Sequence, residues 1–322
     1  SSTGTGLGPG QGQITLDGAA GTGWNGNFGV YLTGAGTSIA SVEGAIHVRG
    51  QGDGLMDYNG GILLNWGARI ESAGTAPITL EGMGGAGTDN QYGVWLRDPG
   101  TALTSQGGNI HVVGQGGPEY QNANHGVLVT TGAHIEATGS ATIAIQGTAG
   151  PGPSSHGVWL DGADSGVWSD EGPISITGMA GAGNASTAIK LASAATLNAT
   201  GTADVGLRGD SLSFDATTAI DVGTGVVTLV PKSPGTLISL GGSDAVGTPS
   251  TLGLTDAELD RITAGSVWIG DADSGSITVS AEIQPLAADD LVLTTGGAIS
   301  DSVTGAGGHA LVVGGLTLRA PS

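Results

Sequence analysis

The sequence predicts an all-β protein, a right-handed parallel β-helix carrying one short helical insertion, on the strength of three observations. The first is a recurring tetrapeptide: GVYL at Gly29, GILL at Gly61, GVWL at Gly93, GVLV at Gly126, GVWL at Gly157 and, decayed, AIKL at Ala188. Successive starts lie 32, 32, 33, 31 and 31 residues apart, which marks an internal repeat of solenoid length. The second is that two further columns keep the same step. Ile14, Ile46, Ile78, Ile110, Ile143, Ile174 and Val205 each head an apolar-x-apolar triplet with a glycine four residues on, and Ile39, Ile70, Leu103, Ile135, Val167 and Leu197 form the other. The third is alternation within the runs: Val30 and Leu32 flank Tyr31, and Ile46 and Val48 flank His47, the period of two expected of a strand with one buried face. Three short strands per repeat, stacked coil on coil at roughly 4.8 Å, make three parallel sheets around one apolar interior. Handedness follows from the usual right-handed parallel crossover.

From Gln11 to about Gly209 each unit reads as strand, glycine turn, strand, turn, strand and variable loop. The inward side chains are expected to be Val30, Leu32, Ile46, Val48 and their repeats, because only that phase buries the apolar columns. A single unit buries too few side chains to offset the ordering of its backbone, so each coil depends on its neighbours. The loops GDGLMDYN, GTDNQY, PEYQNANH and PGPSSH carry Gly, Asn, Asp and Pro and vary while the strands do not. They are expected to be irregular surface segments, with Gln91 among their exposed residues.

Two regions follow: 1–209, a β-helix of about 32-residue coils, and 210–322, where it continues in shorter coils of about 20 residues with an insertion near 252–265. Strands are expected at 212–214, 219–222, 226–230 and 237–240, and after the insertion at 267–269, 277–283, 291–294, 310–313 and 316–318. Within the insertion LTDAELDRI, Thr255 and Glu258 stand in a capping-box arrangement before Leu259 and Ile262, which predicts a short helix. The strand pattern is still running at Pro321 and Ser322, and more coils are expected to follow.

Composition excludes several classes. The 322 residues include 64 glycines without the three-residue period of collagen, and apolar residues at 38% fall in phase, which argues against simple disorder. With no cysteine there is no disulfide or thiol chemistry. No apolar stretch is long enough for a membrane-spanning helix. The net charge of −20, from 28 acidic against 8 basic residues, disfavours nucleic acid and anionic membrane surfaces. The opening SSTGTGLG has no Met, basic region or apolar region, so any signal peptide is expected to have been removed or to lie outside this sequence.

The run LGLTDAELDRITAGSVWIGDADSGSITVSAEI, residues 252–283, followed by LVLTTGGAIS, resembles the signature of very long secreted bacterial surface adhesins of the filamentous haemagglutinin type, which are built on right-handed β-helices. The resemblance covers about a third of the chain, 211–320, and the 32-residue units match in style. It implies export, an extracellular or cell-surface location, attachment and no enzyme activity.

Candidate functional residues lie outside the predicted core. The middle residues of the GV strands are Tyr31, Leu63, Trp95, Leu128, Trp159 and Lys190. Alternation points them outward and the repeat stacks them, so Tyr31, Leu63, Trp95, Leu128 and Trp159 form an apolar ladder on one exterior face. Such a face suits self-association, a neighbouring copy, a surface glycan or a host receptor; cover by a loop of the same chain is the alternative. His125 and His156 fall on adjacent coils and are expected to stack or be solvated, since two imidazoles alone make no metal site. His47 and His111 share a column two coils apart, too far to ligate one ion.

No cofactor is indicated. GGAGTDNQY, from Gly84, matches the start of a calcium-binding nonapeptide, but Gln91 occupies its apolar position and no second copy follows. Asp271 with Asp273, and Asp289 with Asp290, could supply oxygen ligands for calcium, yet they sit at turns where Asp serves the backbone. Many β-helix enzymes act on polysaccharides, so a carbohydrate-active enzyme or glycan-binding module is the competing class. The outward position after the third strand reads Asp17, Arg49, Glu81, Val113, Gln146 and Thr177, which holds no dense acid set for glycoside chemistry. The expectation is a non-catalytic structural or adhesive segment.

Overall fold

The structure, a computed structural model, describes residues 12–246, 248, 250–285, 287–303 and 310–321; the opening SSTGTGLG lies outside them. It is a parallel β-helix. Sheet A starts with Ile14–Ala19, Ile46–Gln51, Ile78–Met83 and Ile110–Gln115; sheet B with Val30–Thr33, Ile62–Asn65, Val94–Arg97 and Val127–Thr130; sheet C with Ser38–Ser41, Arg69–Ser72, Ala102–Ser105 and His134–Ala137. Every strand of a sheet pairs in parallel with the one a repeat away. The columns read from the sequence are the ladder registers: Ile14 pairs Ile46, Ile46 pairs Ile78 and Ile78 pairs Ile110, while Ile39 pairs Ile70 and Ile70 pairs Leu103.

The core phase is the expected one. Ile46, Val48, Ile62, Leu64, Ile78 and Leu80 are wholly buried in one continuous cluster that runs through the solenoid as far as Leu291 and Leu293. Leu32, on the first described coil of sheet B, is half-buried against the same cluster.

Beyond Gly209 the coils shorten for a specific reason. In the long coils a segment of about ten residues separates the end of a sheet A strand from the next sheet B strand; after Val205–Arg208 the chain enters Leu212–Phe214 almost at once. Sheet pairing continues across the change, with Val205 on Val227 and Thr196 on Ala219. A short coil is a long coil without its loop.

The insertion holds more than a helix. Asp256–Leu259 is helical and Thr255 caps it as the spacing predicts, its hydroxyl accepting from Glu258 N while the Glu258 carboxylate accepts from Thr255 N. Leu259 anchors it in the core. Thr251–Leu254, where the sequence predicts no strand, is one that pairs with the earlier Leu237–Leu240 and packs against Leu212–Phe214. The chain therefore steps back one level before the helix returns it to Ile262–Ile269, which pairs with both Ala219–Asp221 of sheet C and Val226–Val230 of sheet A. Two other expectations need trimming. Of 277–283 only Ile277–Val279 is a strand, and in 310–313 Leu311 makes a single bridge to Ile283.

Candidate interaction face outside sheet B

The exterior of sheet B begins at a glycine contact. Where sheet A hands over to sheet B the chain leaves and re-enters at nearly the same point: a Cβ on Gly82 would lie 2.1 Å from Gly93 O, and one on Gly93 would lie 2.3 Å from Gln115 N. Two backbones this close tolerate no side chain, and the pinch extrudes the intervening residues as a loop. The sequence predicts irregular loops here; they are instead a second repeating layer. One position in each is left-handed: Gly26, Tyr58, Asn90, Ala123, Ser154 and Ala185 all have φ between 51° and 71°. Each non-glycine there costs roughly 1–2 kcal/mol, a cost that loop-to-loop hydrogen bonds offset.

Those bonds run as side-chain ladders along the axis. Asn27 N donates to Asn59 Oδ1, Asn59 N to Gln91 Oε1, Gln91 N to Asn124 Oδ1, Asn124 N to Ser155 Oγ and Ser155 N to Ser186 Oγ, at 2.9 to 3.2 Å. A second ladder runs the other way: Asp57 N donates to Asn25 Oδ1, Asp89 N to Asp57 Oδ1 and Asn122 N to Asp89 Oδ1. The GGAGTDNQY segment lies on both ladders. Asp89 and Gln91 are ladder rungs, and Gln91, expected at the surface, is fully buried.

The loop ends fold over the outside of sheet B, and this corrects the bare ladder. Tyr31 remains 53% exposed, but Leu63, Trp95 and Leu128 are only 4%, 8% and 5% exposed and form a second core with Tyr92, against which Phe28 and Trp159 pack. The five residues do stand one above another, in the registers Tyr31–Leu63–Trp95 and Trp95–Leu128–Trp159. Alternation foretold their outward direction; their cover depended on loop geometry that no periodicity announces. Tyr58 stacks on Trp95 with centroids 6.4 Å apart, and Tyr92 meets it edge-on at 4.7 Å. Arg97 and Lys190 lie over Trp95 and Trp159 at 4.8 and 4.9 Å.

Tyr92, His125 and His156 make a continuous stack beside the ladder, with centroid spacings of 5.4 and 5.2 Å and planes within 5° of parallel. Trp159 presents an edge contact to both imidazoles. His156 N donates to His125 Nδ1 and Thr187 N to His156 Nδ1, both at 3.0 Å, so each ring carries its proton on Nε2 and is neutral. Burial, the neighbouring imidazole and Lys190 hold His125 well below its ordinary range; burial and then Lys190 push His156 down to about 4. Burial raises the Tyr92 phenol, whose O–H donates to Asn90 Oδ1. Trp95 Nε1 and Trp159 Nε1 are buried without a hydrogen-bond partner.

Elsewhere the candidates have structural occupations. Asp271 accepts from Arg208 Nη2, Ser274 Oγ and Asp273 N, which hold it below the usual carboxylate range although burial opposes them. His47 and His111 are separated by Thr79 in the register. Arg49 and Glu81 pair at 2.8 Å on the outside of sheet A. Among the described residues no group of three or more His, Cys, Asp or Glu side chains could hold a metal ion, and no helix is long and apolar enough to cross a membrane. Exposed aromatics gather instead on the first two coils, where Trp24, Tyr31, Tyr58 and Trp66 all face solvent. No family model matches this chain, and no curated protein or solved structure shows detectable similarity to it.

Proposed function

We propose that this chain is a rigid, non-catalytic segment of a large exported bacterial surface protein, serving as an adhesin shaft or as building material of an extracellular filament or matrix. One observation carries the reading: two layers are locked coil to coil, the β-helix by its strand ladders and the loops by the Asn27-to-Ser186 and Asn25-to-Asn122 side-chain ladders. Polar side chains that a reactive groove would need free are committed to axial hydrogen bonds, which resist bending and shear along the stack. The resemblance of 252–283 to secreted adhesins supports export, and the acidic surface keeps such a rod hydrated. The test is mechanical. Anchored at both ends and pulled along its axis in a force spectrometer, the chain should hold and then release coil by coil. Yielding in one soft step, as a linker does, overturns the shaft.

Glycan binding is the second reading, favoured by the exposed Trp24, Tyr31, Tyr58 and Trp66 on the first two coils. Flat apolar faces beside the exposed amide of Asn25 suit neutral sugar rings. The anionic surface disfavours sulfated or phosphorylated polymers.

A further inference from the structure

The loop layer is fastened to sheet B by groups that acid alters. In the closed arrangement the Nδ1 lone pairs of His125 and His156 receive backbone N–H groups from the next coil. A proton added at Nδ1 removes that acceptor and sets N–H against N–H. Two added protons place like charges on rings 5.2 Å apart in a buried site. The groups acting on the pair are each ring's charge on the other, Lys190 on the following sheet B strand, and Tyr92, stacked on the preceding coil as a neutral phenol. The closed state also leaves Trp159 Nε1 without a partner and holds Ala123 and Ser154 left-handed; opening relieves all three. The strands beneath keep their own core of Val127, Val129, Val158 and Leu160, so the layer can leave without unwinding the β-helix.

We propose that the His125–His156 stack is an acid-operated latch: its protonation releases loops 116–125 and 149–156 from sheet B and uncovers Tyr92, Leu128 and Trp159 as a pairing face for a second copy of this chain. Charge supports a second copy as the occupant. At neutral pH two copies carry −20 each and repel, whereas the isoelectric point of about 4.2 falls where His156, pushed down to about 4, titrates. Uncovering and loss of repulsion therefore coincide. The choice of partner rests on the reading of the chain as assembling surface material; the latch does not depend on how the rod behaves under load.

Hydrogen exchange followed by mass spectrometry tests the latch, with light scattering on the same samples. Between pH 6.5 and 4.5 each histidine can shift the open-to-closed ratio by up to about a hundredfold. After correction for intrinsic rates, peptides from 116–125 and 149–156 should lose protection by a factor of that order while those from 127–130 and 143–148 keep theirs, and dimers should appear. The double variant His125→Asn with His156→Asn retains an oxygen acceptor but cannot titrate, so its loops should stay protected and it should stay monomeric at pH 4.5. Lys190→Met, which removes the charge opposing protonation, should open at higher pH than the wild type. Loops equally protected at both pH values in the wild type overturn the proposal. So does association of the double variant equal to the wild type's, which would be isoelectric precipitation, and so does opening without dimers. If the double variant does not fold, the wild-type exchange profile and the direction of the Lys190→Met shift decide alone.

Discussion

Gly82 and Gly93 meet backbone to backbone, with room for no Cβ on either: one on Gly82 would stand 2.1 Å from the Gly93 carbonyl oxygen. The same contact recurs between Gly50 and Gly61, Gly114 and Gly126, and Gly147 and Gly157, and it both turns sheet A into sheet B and closes the neck of each loop. Gly82→Ala should therefore force the backbones apart and cost about 1–3 kcal/mol. Alanine at Gly206, where nothing lies within 4 Å of the added carbon, should be nearly neutral. Urea melts of the two variants check the contrast.

The one-core architecture predicts that damage spreads. Val94 and Ile110 are buried on different sheets of one continuous cluster, and Val94→Asp or Ile110→Asp introduces a charge that no partner compensates. Loss of roughly 3–5 kcal/mol is expected, with exchange protection falling in the coils on either side. Tyr120→Ala, at an exposed loop position, is the control. A change no larger than the control's would mean that coils fold independently.

Most of the β-helix was legible because its signal is periodic. Ile14, Ile46, Ile78 and Ile110 share a column in the sequence and a register in the fold, and the capping box at Thr255 and Glu258 is a local motif read locally. What stayed hidden has no period of its own. Thr251–Leu254 packs as a strand through partners fixed only by the fold-back of the chain. The outer layer was obscured because its rungs change chemistry from coil to coil: Asn59, Gln91, Asn124 and Ser155 have one geometric task, accepting a backbone N–H, but carry it out with three different side-chain lengths. The steps of 32, 33 and 31 residues at those positions were the available signal.

Gln91 is the rung with most to lose. Its Oε1 accepts from Asn59 N while its Nε2 donates to Met56 O and Asp89 O. Gln91→Ala leaves the buried Asn59 N–H without its acceptor, while Met56 O and Asp89 O keep the donors Thr88 N and Tyr58 N, and a cost of about 1–3 kcal/mol is expected. Protease nicking in 52–60 should rise with it, although the substitution lies in the next loop. Unchanged nicking would show that the rungs do not couple coils.

The histidine pair gives stability a direction with pH. His156 is pushed down to about 4 from an ordinary 6.5, so its contribution is complete above about pH 6.5 and is lost as pH falls toward 4, by a total of about 3 kcal/mol. Comparing the wild type with His156→Asn isolates this, because carboxylates common to both, Asp215 and Asp271 among them, cancel. The wild type's lead over the variant should shrink through that window and level off below it. A constant difference from pH 7 to 4 would show that the ring does not sense protons.

If sugars bind, they should bind the first two coils. Trp24→Ser combined with Trp66→Ser removes two exposed rings without touching the core, and retention on a panel of neutral glycans should drop about tenfold or more, since each lost stacking platform is worth on the order of 1 kcal/mol. Tyr120→Ser, exposed on a later loop, should leave retention unchanged. Equal retention by all three proteins removes the glycan reading.

The covered ladder should behave as a fastening at neutral pH. Trp95 is the surface on which Tyr58 and Tyr92 pack, and Trp159 the one beneath His125 and His156. Replacing both tryptophans by Ser takes away that surface and should loosen the loops by several kcal/mol, in line with large-to-small changes in a core of about 3–5 kcal/mol each. The strands keep their inward residues Val94, Leu96, Val158 and Leu160, so far-UV circular dichroism should hold while proteolysis appears at 116–125. Light scattering at pH 7 should show the same monomer as the wild type, because residues already covered make no contact with a partner. If the double variant instead dissolves an assembly that the wild type forms at pH 7, the ladder is a working interface at neutral pH, and the loops open without acid.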